Sequence, residues 1–412
     1  MKKPEPTTTD PIPATSYESL EVYARTEIQT WLQRLLEEEV GELLGRERYR
    51  RREGVDSQAG YRNGYGKPRR LSMSCGTITV RRPRVRGLEE RFESRLLPRF
   101  QRRTQEVGDL LPRLYLHGLA ERDFELALRG LLGNGAPLSA SSVARLKERW
   151  LEEYRAWRQR PIEGELVYLW ADGIYVKAGL EKDKAALLVV IGAFSDGTKR
   201  VLAVESGWRE SKGSWLDVLR GLVRRGLNVP RLVVADGALG LWAAITELGW
   251  TCQEQRCWNH KITNALDALP KKEQPAASEL LRKIPASESR EDAERRRDEF
   301  VKRYRQRHPK ACEKLLSDWD RMVSFFSFPK EHWKHLRTTN VVESPFHAVR
   351  LRTSAAKRYK RTDHAEAIIW KLLLVAEQTF RKLDAPQLLP SVAAGDTYVN
   401  GIRTKRARTA AA

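Results

Sequence analysis

Cysteine is scarce. Its four residues among 412 (Cys75, Cys252, Cys257, Cys312) are too few and too scattered for a disulfide framework. No stretch approaches the roughly 18 consecutive apolar residues of a membrane helix. The start, Met1-Lys2-Lys3-Pro4-Glu5-Pro6, leads into polar residues rather than the apolar run of a secretory leader. A cytoplasmic protein with no membrane partner is therefore expected. Global disorder is excluded as well, because 41% of the residues are hydrophobic and can form a core. At about 150 residues per domain, the length predicts two or three domains.

Positive charge is what the chain has in excess: 75 Lys and Arg against 54 Asp and Glu, a net +21. Residues 1–160 carry +8, residues 161–260 carry 0 and residues 261–412 carry +13. Within the first block, residues 46–103 alone carry +12, while residues 1–45 carry −5. Basic runs (Arg50-Arg51-Arg52, Lys67-Pro68-Arg69-Arg70, Arg81-Arg82-Pro83-Arg84) suit a polyanion, since neutralised phosphates release counterions. The neutral block is also the most apolar. A buried core between basic segments reads as a catalytic centre with nucleic-acid arms.

Residues 1–16, rich in Pro and Thr, read as a disordered lead. From Tyr17 to Gly45 the residues Leu20, Tyr23, Ile28, Trp31, Leu35, Val40 and Leu43 recur at helical spacing. They predict a helix that packs within its domain or dimerises. Residues 50–68 read as an irregular basic segment, and Leu71 to Arg86, with Thr77-Ile78-Thr79-Val80, as a small hairpin. Helices are expected over about 104–133 and 139–158, joined by Gly133-Asn134-Gly135-Ala136-Pro137. The segment near 120–158 is helix-turn-helix-like, with Ser141, Ser142, Arg145, Lys147 and Arg149 facing DNA.

The neutral block alternates strands with helices. Strands are expected at Leu166 to Ala171, ending in Asp172, and at Ala186 to Phe194, Arg200 to Glu205, Arg231 to Ala235 and Trp250 to Gln255. Helices are expected at Trp215 to Val223 and Leu239 to Leu248. Three hairpin-linked strands followed by strand–helix–strand turns predict an α/β mixed sheet with helices on its faces. A charged helical insertion is read over 261–336. A helix from Thr338 running into Arg350-Leu351-Arg352, a last helix near 364–382, and a basic tail over 383–412 complete the chain. The expected organisation is a mainly α region for DNA binding and dimerisation over 17–160 and a catalytic domain over 161–260 and 337–382.

Asp172 and Asp236 each follow a hydrophobic strand and precede a glycine. Alone, an Asp-Gly after a strand is ordinarily a turn, but neighbouring strand ends are where an open sheet presents groups to a ligand. Two carboxylates there suit divalent cations, which prefer oxygen ligands; a pair of ions can stabilise both oxygens of a phosphodiester displacement. Glu343 is the candidate third acid, in the first turn of the helix capped by Thr338, Thr339 and Asn340, with His347 and Arg350 along its face. Gln255-Arg256-Cys257-Trp258-Asn259-His260 suggests zinc, but a fourth ligand is lacking. A packed Cys257 and a His260 turned toward phosphate fit better.

These residues together resemble the mutator-type bacterial insertion-sequence transposases. The resemblance spans about Tyr61 to Leu374. It is carried by Gly60-Tyr61-Arg62-Asn63-Gly64-Tyr65, Thr77 to Arg84, Gly207-Trp208-Arg209-Glu210-Ser211, Leu232 to Gly237, Gln255-Arg256-Cys257 with His260, and Arg337-Thr338-Thr339-Asn340-Val341-Val342-Glu343. It implies a ribonuclease-H-like catalytic domain with Asp172, Asp236 and Glu343 as a metal-binding DDE triad. It further implies Mg²⁺, two ions, with Mn²⁺ as an alternative. Cys257 and His260 would be a Cys-x-x-His signature, supported by Arg256 and Asn340, and Arg350 the basic residue seven beyond the glutamate. Ser344-Pro345-Phe346 departs from the polar or basic residues common there. The implied partners are terminal inverted repeats and target DNA, bound through Arg62, Lys67, Arg69, Arg81, Arg82 and Arg84 as well as Ser141, Ser142, Arg145 and Arg149, by a homodimer or higher oligomer. The rival expectations are a catalytically silent DNA-binding regulator and a ribonuclease-H-like nuclease or resolvase.

Overall fold

The computed structural model describes residues 17–52, 54, 59–98, 100–119, 123, 127, 128, 132, 140–178, 185–237, 239–356 and 358–405. The lead over 1–16, the glycine turn at 133–137, the Ser141 and Ser142 side chains, and Arg406 and Arg408 lie outside them. The chain divides into two units, residues 1–144 and 145–412.

In the first unit, α1 (Tyr17–Leu44) is the expected helix. Its C-terminal half buries Leu36 with Leu71, Ile78, Val80 and Leu97, while Leu20, Tyr23 and Trp31 remain more than half exposed. Four strands follow: β1 (Tyr61–Tyr65), β2 (Arg69–Met73), β3 (Gly76–Val80) and β4 (Pro83–Arg86). β2 and β3 form the expected hairpin, Arg69 opposite Val80. β4 returns to β1, Tyr61 opposite Arg86. One expectation is corrected here: the stretch over 50–68 is not wholly irregular, since it contains β1. Glycine and asparagine in Tyr61-Arg62-Asn63-Gly64-Tyr65 conceal a strand whose partner lies some twenty residues on, and Gly64, at φ +60°, sits in its bulge. Of the helix expected over 104–133, α2 (Gln105–Leu116) is described. α3 (Ala140–Trp157) follows.

The second unit is built on a five-stranded mixed sheet. β5 (Leu166–Val176), β6 (Ala185–Phe194) and β7 (Lys199–Gly207) are antiparallel neighbours. β8 (Leu232–Ala235) and β9 (Gln253–Arg256) add in parallel, giving the order β7-β6-β5-β8-β9. α4 (Lys212–Arg224) and α5 (Leu239–Glu247) cover one face, where Trp215, Leu219, Trp242 and Ile245 pack on Leu169, Ala171 and Val190. Tyr168, Trp170 and Asp172 alternate with those residues and so point to the other face.

The helices after β9 are α6 (Trp258–Leu266), α7 (Gln274–Lys283), α8 (Arg290–Tyr304), α9 (Pro309–Leu316), α10 (Trp319–Val323) and α11 (Trp333–Leu336). The segment around α11 meets that other face. Polar side chains fix the seating. Tyr168 Oη lies 2.9 Å from His332 Nδ1, Trp170 Nε1 donates to the His335 carbonyl, and buried Gln255 bonds both the Met322 carbonyl and the Phe325 amide. α12 (Asn340–Glu343), α13 (Phe346–Ala356) and α14 (Thr362–Glu377) follow. The segment read as a tail folds too, into α15 (Leu389–Ala393) and a hairpin of β10 (Thr397–Val399) and β11 (Ile402–Lys405), burying Leu389 and Tyr398. Among the described residues no helix is long and apolar enough to cross a membrane.

Candidate active site

Parallel pairing brings the two aspartates together. Ala171 is the register partner of Ala235, so Asp172 and Asp236 come next on adjacent chains, where neighbouring strands lie about 4.8 Å apart. β5 does not end at Asp172, as the sequence suggested. It continues to Val176 against β6, with Asp172 opposite Val189; only its pairing with β8 stops. Asp172 therefore sits on a paired strand, flanked on one side by the gap where β8 gives way to Gly237. At Gly237, φ is +103° and a Cβ would lie 2.2 Å from Arg256 Nε. Only glycine fits both demands.

Arg256 uses that gap. Its Nε donates to the Asp236 carbonyl at 3.2 Å and its Nη1 bonds Asp318 at 2.7 Å, joining the end of β8 to α10. The guanidinium is thus committed to positioning.

Glu343 arrives from α12, which ends at that residue. The helix expected to run from Thr338 into Arg352 is broken. Pro345 has no N–H to offer the Val341 carbonyl, and its ring crowds that turn; a new helix begins at Phe346. Glu343 is at the end of a four-residue helix, and the exposed Arg350 belongs to the next one, so they do not share one helical face. The Thr339 hydroxyl bonds Glu343 Oε1, and His260 Nδ1 is 3.9 Å from the same oxygen. Asn340 accepts from Asn259 at 3.1 Å, and the Thr339 amide points to Cys257 Sγ at 3.4 Å. Cys257 precedes α6 and is fully buried. Cys252, the other candidate soft ligand, does not join this group.

The electrostatics mark one centre. Burial pushes the Asp172 carboxyl up to about 7, and the charges of Asp236, Glu343 and Glu210 push the same way against a 2.8 Å bond from the Gly173 amide. His260 is held protonated, its pKa raised to about 9 by the Cys257 sulfur first and then by Glu343 and Asp236. Carboxylates that disfavour one another's ionisation are a donor set for a divalent cation, whose charge reverses the penalty. The residues present fit such an ion.

Glu210 is a functional candidate that the sequence shows only as part of Gly207-Trp208-Arg209-Glu210-Ser211. It lies beyond β7, its carboxyl raised by burial first and by Asp236 second, with the Tyr175 hydroxyl bonded to it. A Cβ at Gly173 would stand 2.5 Å from its Oε1, and one at Gly240 would stand 2.2 Å from its carbonyl. Arg209, just before it, has φ +54°. Two glycines and a left-handed residue thus bring Glu210 to the aspartates, a signal present in sequence only as glycines with no local reason.

The residues expected to meet DNA divide in two. Lys67, Arg69, Arg82 and Arg84 line one cavity of about 1050 Å³ together with Arg70 and Arg102. Arg62 instead turns to the Arg46 and Glu47 carbonyls at 3.1 and 3.3 Å. The backbone of Arg81 is held by Gln33, and Arg149 faces Glu153 at 3.6 Å. Arg145 lies on α3.

Residues 11–382 match a family model described as Transposase, Mutator family. Over 296 residues the chain is 42% identical to the transposase for insertion sequence element IS6120 of Mycolicibacterium smegmatis, covering 72% of this chain and 92% of that one. Over 279 residues it is 39% identical to the transposase for IST2 of Acidithiobacillus ferrooxidans, covering 67% and 94%. The HTLV-2 integrase catalytic core domain, solved with magnesium, aligns with 30% of this chain and 85% of its own at 18% identity. Its TM-score of 0.18 is too slight to argue from.

Proposed function

The chain belongs to the Mutator family of transposases, and from that premise we propose that it is the transposase of an insertion sequence, with Asp172, Asp236 and Glu343 as its DDE carboxylates. The observation that carries the reading is the convergence on one point: Asp172 and Asp236 in adjacent register, and the Glu343 charge acting on Asp172. The strand order, three antiparallel strands extended by two parallel ones, supports a ribonuclease-H-like assignment for the catalytic domain.

The reaction is hydrolysis of a phosphodiester at the element's end, followed by in-line attack of the freed 3′-hydroxyl on target DNA. No covalent protein–DNA intermediate is needed, since no nucleophilic side chain takes part. When bound, two Mg²⁺ or Mn²⁺ ions would neutralise the developing charge and lower the pKa of water. The chain's own contribution is to hold the donors. Gly173 N–H orients Asp172, Thr339 orients Glu343, and Arg256 ties down the Asp236 backbone. The protonated His260 places a positive charge at the rim, where a DNA phosphate would enter.

The basic cavity around Lys67 and Arg84 is assigned to the terminal inverted repeats. Joining two ends requires at least a dimer, and the exposed Leu20, Tyr23 and Trp31 of α1 are the surface we assign to it. The test is nicking and strand transfer on a duplex carrying the element's ends, with Mg²⁺ or Mn²⁺. Asp236→Asn should abolish both steps while leaving DNA binding intact; an active Asn variant would overturn the triad.

A further inference from the structure

Three donors of different chemistry meet beside the carboxylate centre. Cys257 stands at the N-terminal edge of α6, His260 in its first turn and Glu343 at the end of α12. One ligand atom from each, a thiol sulfur, an imidazole nitrogen and a carboxylate oxygen, lies within 4.8 Å of the others. Two features set the group apart from ordinary packing. His260 Nδ1 is buried without a hydrogen-bond partner, as are His308 Nε2 and His364 Nε2; those two face a single glutamate each at 3.2 Å, whereas His260 stands against both a thiol and a carboxylate. Buried polar atoms are ordinarily satisfied. And Glu343 Oε1, the oxygen nearest that nitrogen, is the one bonded by Thr339, so the carboxylate is already steered toward the cysteine and histidine.

We propose that Cys257, His260 and Glu343 form a site for a thiophilic divalent cation of the zinc class, which inhibits the enzyme by withdrawing Glu343 from Asp172 and Asp236. The inference rests on the reading of Glu343 as the third acid. Sulfur and imidazole donors select zinc-like ions, while magnesium takes oxygen ligands and keeps its waters. Zinc bonds of about 2.0–2.3 Å place tetrahedral ligand atoms about 3.4–3.7 Å apart. The three side chains therefore close by about an ångström, within reach of rotamer adjustment, and water completes the tetrahedron. One carboxylate then serves two metals of opposite preference, and the ion that takes it with a thiolate holds it more tightly.

Cobalt(II), a spectroscopic stand-in for zinc, tests binding without relying on activity. Titrated into the full chain, it should give a near-ultraviolet thiolate-to-metal charge-transfer band that saturates at one equivalent and disappears on adding zinc. Cys257→Ser, nearly isosteric, should lose the band, and His260→Gln should weaken cobalt binding at least about tenfold with an unchanged circular dichroism spectrum. Micromolar zinc added to millimolar magnesium should suppress nicking by the parent, and suppress Cys257→Ser much less relative to that variant's own zinc-free rate. No band in the parent, an equal band in Cys257→Ser, or a band without inhibition would each overturn the proposal. A band in a protein that nicks with no metal at all would instead sink the transposase reading, so the two failures are distinguishable.

Discussion

A carboxylate with a pKa near 7 in the folded chain destabilises that chain once it ionises. Asp172 is raised to about 7 from an ordinary 3.8, by burial first and then by its carboxylate neighbours. Between those values the folded state binds the proton more tightly than the unfolded state, so stability falls as pH rises through the window. Each tenfold difference in proton affinity between the two states corresponds to about 1.4 kcal/mol. Asp172→Asn removes the penalty. In metal-free protein its melting temperature should exceed the parent's by about 2 °C or more at pH 8 and approach it only near pH 3, below the ordinary Asp value. Calorimetry at the two pH values checks this, and a lower melting point at pH 8 would contradict it. The same repulsion makes Glu210 matter. Glu210→Gln should weaken Mn²⁺ binding several-fold, read by isothermal titration. Gly173→Ala should do the same, because its methyl group would occupy the space of the Glu210 carboxylate. If both act through one contact, the double variant should be no worse than the weaker-binding single variant.

Among the elements, α14 has a duty its amphipathic pattern does not reveal. β7 is an edge strand, and an open edge invites pairing with another chain. Glu366 accepts from the Ser206 amide and Glu377 from the Val201 amide, so two carboxylates of α14 occupy that edge. Glu377→Ala should cost about 1–3 kcal/mol by leaving a buried amide unsatisfied, read as a lower denaturation midpoint with increased aggregation. What the sequence made legible follows the same division between local and distant. The strands of the neutral block were readable because β5, β6 and β8 are apolar runs buried on both faces, and α1 because its stripe is periodic. Asp172 and Asp236 are legible because each interrupts such a run. Glu210 is not, because what brings it in, Gly173 and Gly240, lies far away in sequence. The helix around Glu343 is shorter than its pattern predicts because Pro345 does not sit in a first turn. The folded chain instead starts that helix after the proline, with Glu343 ending the turn before it.

At the scale of the whole molecule the excess of +21 resolves into arginines and lysines with different duties. Residues 161–260, which hold the two aspartates, are neutral overall, and the +12 of residues 46–103 falls on the strands β1 to β4, their connections and the segments on either side. Not all of that charge can serve DNA. Arg62 is spent on two backbone carbonyls near the end of α1, whereas Lys67 and Arg84 are exposed on the wall of the basic cavity. The two classes should separate experimentally. If Lys67 and Arg84 each meet one phosphate, replacing either with Gln lowers the slope of log affinity against log salt by about 0.9. Affinity should fall alike for duplexes with and without the element's ends, because a phosphate contact carries no sequence information. Arg62→Gln should leave the slope unchanged and lower the melting temperature, since its loss removes two contacts to backbone carbonyls rather than one to a phosphate. Fluorescence anisotropy across a salt series, run beside thermal melts, decides between them. An Arg62 variant that lost slope but not stability would move that residue from scaffold to DNA contact, and would mean that the basic strands engage DNA over a wider face than the cavity alone.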